Sequence, residues 1–198
     1  MKYINQLDYP HWLYKTRTEM DGVEQEKGET TTVRSSGCGL CSAIMVADRL
    51  LPNCEFGLKE AIDLAYATNA NLEVGTTYQV YAPALAEKLG LKLEMTNDVE
   101  QLLNCLRTGG AAVLNVGGDH EGRIGVFSHG GHFIVAIGVE PDGRVAVLDP
   151  SYKPGKYNEE GRKGKVEIKN QVIALCDAQT LAEDASTRDP GFYLFWRA

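Results

Sequence analysis

No run of apolar residues in this chain approaches the ~18 needed to cross a bilayer. The opening "MKYINQLDYPHWLYK" has no apolar signal core either, so a cytoplasmic location and no membrane span are expected. Basic clusters are equally scarce. Twenty Lys and Arg stand against 27 Asp and Glu, a net charge of −7, which argues against nucleic acid or an anionic membrane as main partner. The one compact basic run, "GRKGK" at 161–165, sits in a Gly-rich stretch and reads as a solvated face. Five cysteines at irregular spacing make an odd count, which fits reduced thiols better than a disulfide framework. There is no internal repeat, no low-complexity tract and no G-x-x-x-x-G-K-[ST] phosphate loop.

What is present is a chain of 198 residues, 43% hydrophobic, long enough to bury one proper core. Residues 14–34 are polar and lack an apolar period, so they read as a long surface loop. Ser35 and Ser36 then offer cap oxygens to a helix whose apolar face is Leu40, Ala43, Ile44, Ala47 and Leu50, stopped by Pro52. "GLKEAIDLAYATNA", "TYQVYAPALAEKLG" and "DVEQLLNCLRTGG" read as three further helices; the second tolerates Pro83 near its first turn, and the third starts near Asp98. From Ala111 the period becomes strand-like in "AAVLNV", "HFIVAIGV", "RVAVLD", "KVEIK" and "GFYLFWR". A helical first half and a sheet-rich second half predict an α+β protein with a cleft between two lobes.

The stretch "SSGCGLC" sets Cys38 where a turn becomes a helix, with Cys41 three residues on. Unpaired N–H groups and the positive end of the helix dipole favour a thiolate there. Gly37 and Gly39 leave room for a substrate backbone; the bland alternative is that Cys38 is a small buried hydrophobe. His132 opens a strand behind the Gly-rich "SHGG", and Asp149 ends the next one in "LDPSY". A four-residue loop, Glu140–Gly143, would pair Val139 with Arg144 and set Ile134 opposite Asp149. His132 and Asp149 then share one sheet face as diagonal neighbours, base and orienter. Alone, each reads as an ordinary hydrogen-bonding group.

With "INQLDYP", "SSGCGLCSAIMVADRL" and "GGHFIVAIGVEPDGRVAVLDP" taken together, the chain resembles the papain-like cysteine peptidases related to bacteriocin-processing, double-glycine leader peptidases, in their standalone bacterial form. The resemblance implies a papain-like fold as a single domain over 1–198. A helical lobe, 1–110, would carry Gln6 and Cys38, and a β lobe, 111–198, formed by an antiparallel sheet or half-barrel, would carry His132 and Asp149. It further implies Gln6 as oxyanion donor, Cys38 as nucleophile, His132 as general base and acid, and Asp149 as orienter. The expected substrate is a peptide or other amide, with no cofactor and no metal. Gln6 lies 32 residues before Cys38, so the intervening polar run must fold away for it to reach the site; Gln25 is nearer but lies within that run.

Other readings stay open. "CGLC" at a helix start suggests a thioredoxin-like redox pair, although no strand leads into it. Cys38, Cys41, His129 and His132 suggest zinc, although H-x-x-H is shorter than the usual spacing. A binding module that kept the fold without the chemistry is the third. The segment 117–131, "GGDHEGRIGVFSHGG", reads either as a mobile rim over the site or as a slack hairpin.

Overall fold

The computed structural model describes residues 1–20, 23–26, 31–72 and 75–198. A 3-10 turn at Gln6–Asp8 leads to strands β1 (Arg17–Met20) and β2 (Val23–Glu26), which pair as an antiparallel ribbon. The expected surface loop over 14–34 is thus partly a hairpin, and its remaining positions at 21–22 and 27–30 lie outside the described residues. The neck of this excursion is zipped. Tyr14 N–H donates to Thr31 O at 2.9 Å, Val33 N–H donates to Trp12 O at 2.8 Å, and Leu13 bridges Thr32. The chain therefore returns to its starting point, which shortens the spatial gap between Gln6 and Cys38.

Helices α1 (Val33–Ser36), α2 (Cys38–Leu50), α3 (Leu58–Ala67) and α4 (Tyr78–Leu89) follow, then β3 (Leu91–Thr96) and α5 (Val99–Arg107). The second half supplies β4 (Ala111–Val116), β5 (His132–Val139), β6 (Val145–Leu148), β7 (Glu167–Lys169), β8 (Ile173–Cys176), α6 (Ala178–Ala185) and β9 (Phe192–Arg197). Ser35 and Ser36 do not cap α2 as expected. They belong to α1, which Thr32 and Ser35 close with a capping box, and Gly37 caps α2 without a side-chain bond. Pro83 falls in the second turn of α4, where it forfeits the bond to the Gln79 carbonyl. Asp98 caps α5, accepting from Glu100 N–H and Gln101 N–H.

The architecture is α+β. One open, antiparallel, seven-stranded sheet runs in the order β3-β9-β4-β5-β6-β8-β7. Its central strands are apolar on both faces, because helices cover both. Val113, Val135, Leu148, Tyr193 and Phe195 meet α2, α3 and α4, whereas Leu114, Ile134, Val147, Phe192 and Leu194 meet α5 and α6. The helices of the first half divide between the two faces, since α5 crosses to the side opposite α2–α4. Gly39 to Ala47 of α2 are buried all round, the mark of a helix held inside rather than on a surface.

The β5–β6 turn differs from its expected form in a way that cancels. Gly143 adopts φ +90°, and Glu140 N–H donates to Arg144 O at 2.8 Å, making a three-residue loop. Val139 therefore faces Val145, one residue off the expected pairing. A bulge between Ala136 and Gly138 then restores the register, so Val135 faces Leu148 and the ladder reaches Asp149 as predicted.

The 117–131 segment is anchored at its middle by buried side chains, and its last residue, Gly131, lines a cleft. Buried Asp184 accepts from Val126 N–H and Phe127 N–H, at 2.8 and 3.0 Å, and from Arg123 at 2.8 Å. Arg162, from the basic run expected to be solvated, is itself buried and donates to Gly125 O at 2.8 Å. Asp184→Ala is expected to lose about 2–4 kcal/mol in denaturant titration, because it leaves the buried Val126 and Phe127 N–H groups without an acceptor and Arg123 with Glu183 alone. Limited proteolysis should then cut within 117–131, and an unchanged denaturation midpoint would contradict this account.

Candidate active site

Cys38 opens α2 because the chain there runs α1, a Gly37 hinge, α2, with almost no spacer. The glycines on either side of Cys38 are explained by the chain's own packing rather than by room for a substrate. A Cβ on Gly37 would stand 2.5 Å from Val33 O, and one on Gly39 would stand 3.0 Å from the Thr76 Cβ. Cys38 is a partly exposed residue, and it lines a cleft of about 690 Å³. That cleft lies at the start of β5, walled by the N-terminus of α4 and by residues 187–189. Tyr78, Phe133 and Tyr193 form an aromatic floor, with the Tyr78 ring centroid 4.7 Å from that of Phe133 and 5.0 Å from that of Tyr193.

His132 is buried, and its Nε2 donates to Asp149 Oδ1 at 2.8 Å. With Nε2 so engaged, Nδ1 is the nitrogen left for the sulfur, and the His132 ring and the Cys38 side chain are close enough to shift each other's proton affinity. Asp149, fully buried just beyond β6, is the most heavily partnered group in the site. Oδ1 also accepts from Ser151 N–H at 2.8 Å and Ser151 Oγ at 3.1 Å. Oδ2 accepts from Tyr157 OH at 2.6 Å and from the buried Lys156 ammonium, which also reaches Ser151 Oγ at 2.8 Å.

The electrostatics follow from these contacts. Burial pushes the Asp149 carboxyl up, but the His132 bond and charge, with Lys156, outweigh it and hold the carboxyl well below the usual carboxylate range. Burial pushes the His132 ring down, but Asp149 first and Cys38 second raise it to about 9. Burial pushes the Cys38 thiol up, yet the His132 ring and the backbone N–H groups of Phe133 and Gly39 bring it below its ordinary value. Each of these shifts favours the charged form of its group, thiolate at Cys38 and imidazolium at His132.

Cys38, His132 and Asp149, predicted from sequence, are thus brought together. Among the described residues no hydrogen bond joins Gln6 to these three. It is buried nearby, its backbone N–H donating to Pro150 O at 2.7 Å and its side-chain Nε2 to Arg34 O at 2.8 Å, while Oε1 has no partner. Tyr3 and Asn5 tie the same N-terminal segment to the Asp149–Tyr152 turn, through Asp149 O at 2.8 Å and Tyr152 O at 2.7 Å. Sequence reasoning missed Ser151, Lys156 and Tyr157. Lys156 and Tyr157 sit in a polar Gly- and Pro-rich run with no periodic signal, and the only hint was that a buried Asp149 needs more donors than one imidazole.

The other groupings do not form. Cys41 is fully buried in the core, and burial drives its thiol well above the ordinary value. His129 is exposed and held away from the cysteines, between Asp119 and Glu159 at 2.9 Å each. Among the described residues no three His, Cys, Asp or Glu side chains gather as metal ligands, and no helix is long and apolar enough to cross a membrane. Comparison of the chain with known protein families and with curated proteins finds no match.

Because the folded carboxyl of Asp149 titrates below its ordinary 3.8, its stabilisation is present above that pH and is lost as pH falls below it. Asp149→Asn should be less stable than the parent by about 3–5 kcal/mol at neutral pH, since it strands Lys156. In urea titrations that gap should close as pH drops below about 4. A gap that does not change with pH would contradict the assignment.

Proposed function

We propose that this chain is a cysteine peptidase or related amide hydrolase of papain-like fold, working through an acyl-enzyme. The observation that carries this reading is that Cys38 and His132 line one open cleft, with the His132 ring donating behind it to the buried Asp149 carboxylate. In the proposed reaction the Cys38 thiolate adds to a substrate carbonyl carbon, and the carbonyl oxygen takes the negative charge. The imidazolium of His132 gives its proton to the departing amine, which leaves with the C–N bonding pair. Water then adds to the thioester, His132 takes its proton, and the acid leaves as the thiolate re-forms. Asp149 keeps the ring oriented and stabilises its charge throughout.

The oxyanion would be met by the Cys38 backbone N–H, which as a first-turn amide has no helical acceptor, and by Gln6. The Gln6 role rests on the family resemblance and on its buried place beside Arg34. Its Nε2 must exchange the Arg34 carbonyl for the substrate oxygen to act. The antiparallel sheet and the helix-borne cysteine are compatible with the papain-like form. The redox reading is disfavoured, because a helix and not a strand leads into the C-x-x-C turn, and because dithiol exchange leaves the His132–Asp149 pair beside Cys38 without a role.

Iodoacetamide labelling across pH tests the proposal. Cys38 should alkylate well below pH ~8.5, ahead of Cys41, Cys105 and Cys176, which are buried. His132→Ala should move the onset of Cys38 labelling up to about pH 8.5, and Cys41→Ala should leave it in place. Uniform labelling of the cysteines, or a Cys38 onset indifferent to His132, would contradict the hydrolase reading.

A further inference from the structure

One cation in the cleft is not used by the chemistry above. Arg188 stands three residues beyond the end of α6, with its backbone N–H donating to Ala185 O at 2.9 Å. Its side chain lines the same cleft as Cys38 and His132. The guanidinium lies against Gly131, the residue before His132, with Nη2 2.7 Å from where a Cβ there would stand. Its Nε is buried and has no hydrogen-bond partner.

Arg123 Nε and Arg162 Nη2 are likewise buried without a partner, but those two side chains donate to the protein through their other nitrogens. Arg34, Arg49, Arg123, Arg144, Arg162 and Arg197 each donate to an oxygen of the protein. No such side-chain bond or ion pair forms at Arg188 among the described residues. The adjacent Asp189 also lines the cleft; its Oδ1 accepts from Asn97 Nδ2 at 3.2 Å, and among the described residues it forms no ion pair with Arg188. Elsewhere in the lining the Cys38 and His132 charges offset each other. A planar fork of donors is thus left facing the cleft beside the reacting groups, with one buried nitrogen lacking an acceptor. A carboxylate matches that fork with two parallel hydrogen bonds.

We propose that Arg188 forms a carboxylate-binding subsite of the cleft, so that the substrate presents an anionic group, an acidic side chain or a terminal carboxylate, next to the His132 end of β5. This deepens the amide-hydrolase reading and rests on the cleft being where substrate lies. A carboxylate there satisfies the Arg188 fork and fixes the register of a bound peptide relative to Cys38.

Calorimetric titration of Cys38→Ala protein, which cannot turn substrate over, tests this directly. The probes are an acetylated, amidated pentapeptide with a central Glu, its Gln counterpart, and acetyl-tetraalanine as free acid and as amide. At least one carboxylate probe should bind about tenfold or more tighter than its neutral counterpart. Arg188→Gln in the same background should abolish that preference, and Arg188→Lys, which keeps the charge but loses the fork, should restore part of it. Preference for the Glu probe identifies a side-chain carboxylate, and preference for the free acid a chain terminus. No binding by either carboxylate probe, or a preference that survives Arg188→Gln, overturns the proposal. Iodoacetamide labelling of Cys38 in the parent protein separates the two claims. An unreactive thiol with an intact carboxylate preference sinks the hydrolase reading alone, and a reactive thiol without the preference sinks the subsite alone.

Discussion

A single buried carboxylate holds the site in its charged form. Asp149 has no solvent contact, so its charge is sustained only by the donors that surround it, and each of those donors is fixed in turn by it. Its influence passes through the ring. The hydrogen bond to Nε2 raises the proton affinity of His132, and the protonated ring lowers that of Cys38. Lys156 works against the first effect by neutralising part of the carboxylate charge, while satisfying an oxygen that would otherwise be stranded. The balance between these two partners of Asp149 decides how far the thiol is ionised.

The fold serves this arrangement by bringing distant segments to one strand end. The neck at residues 12–14 and 31–33 closes off the polar excursion, so that the N-terminal segment lies beside both the Arg34 carbonyl and the Asp149–Tyr152 turn. The β5 bulge sets the register that lets His132 reach Asp149. Asp184 and Arg162 pin the long connection into β5, so the strand end that presents His132 is braced from both α6 and the 159–165 turns. The cleft wall opposite is left to the α4 start and to residues 187–189.

Much of this was legible in the residues. The apolar periods of α2, α3 and α5 and the continuous apolar runs of β4, β5 and β9 report burial directly, because packing enforces them. The Cys38, His132 and Asp149 set was legible because helix start, strand end and turn each constrain one member. What escaped depends on long-range context. β3 has the alternation Leu91, Leu93, Met95, but it follows directly on a helix and pairs with β9 a hundred residues away. β8 and α6 are too short for a period to stand out. Lys156 and Arg162 look like surface residues in a polar run, and only the tertiary position of Asp149 and Gly125 draws them inside. The turn register was misread by one residue because a left-handed Gly143 and a bulge leave no unambiguous mark in sequence.

The most direct measurement of the central claim is the titration of the His132 ring nitrogens by nitrogen NMR. If Asp149 and Cys38 stabilise the imidazolium as described, the ring stays doubly protonated through neutral pH and titrates at about 9, falling back in Asp149→Asn. A ring that titrates near 6.5, or that is indifferent to Asp149, would contradict the thiolate–imidazolium pair.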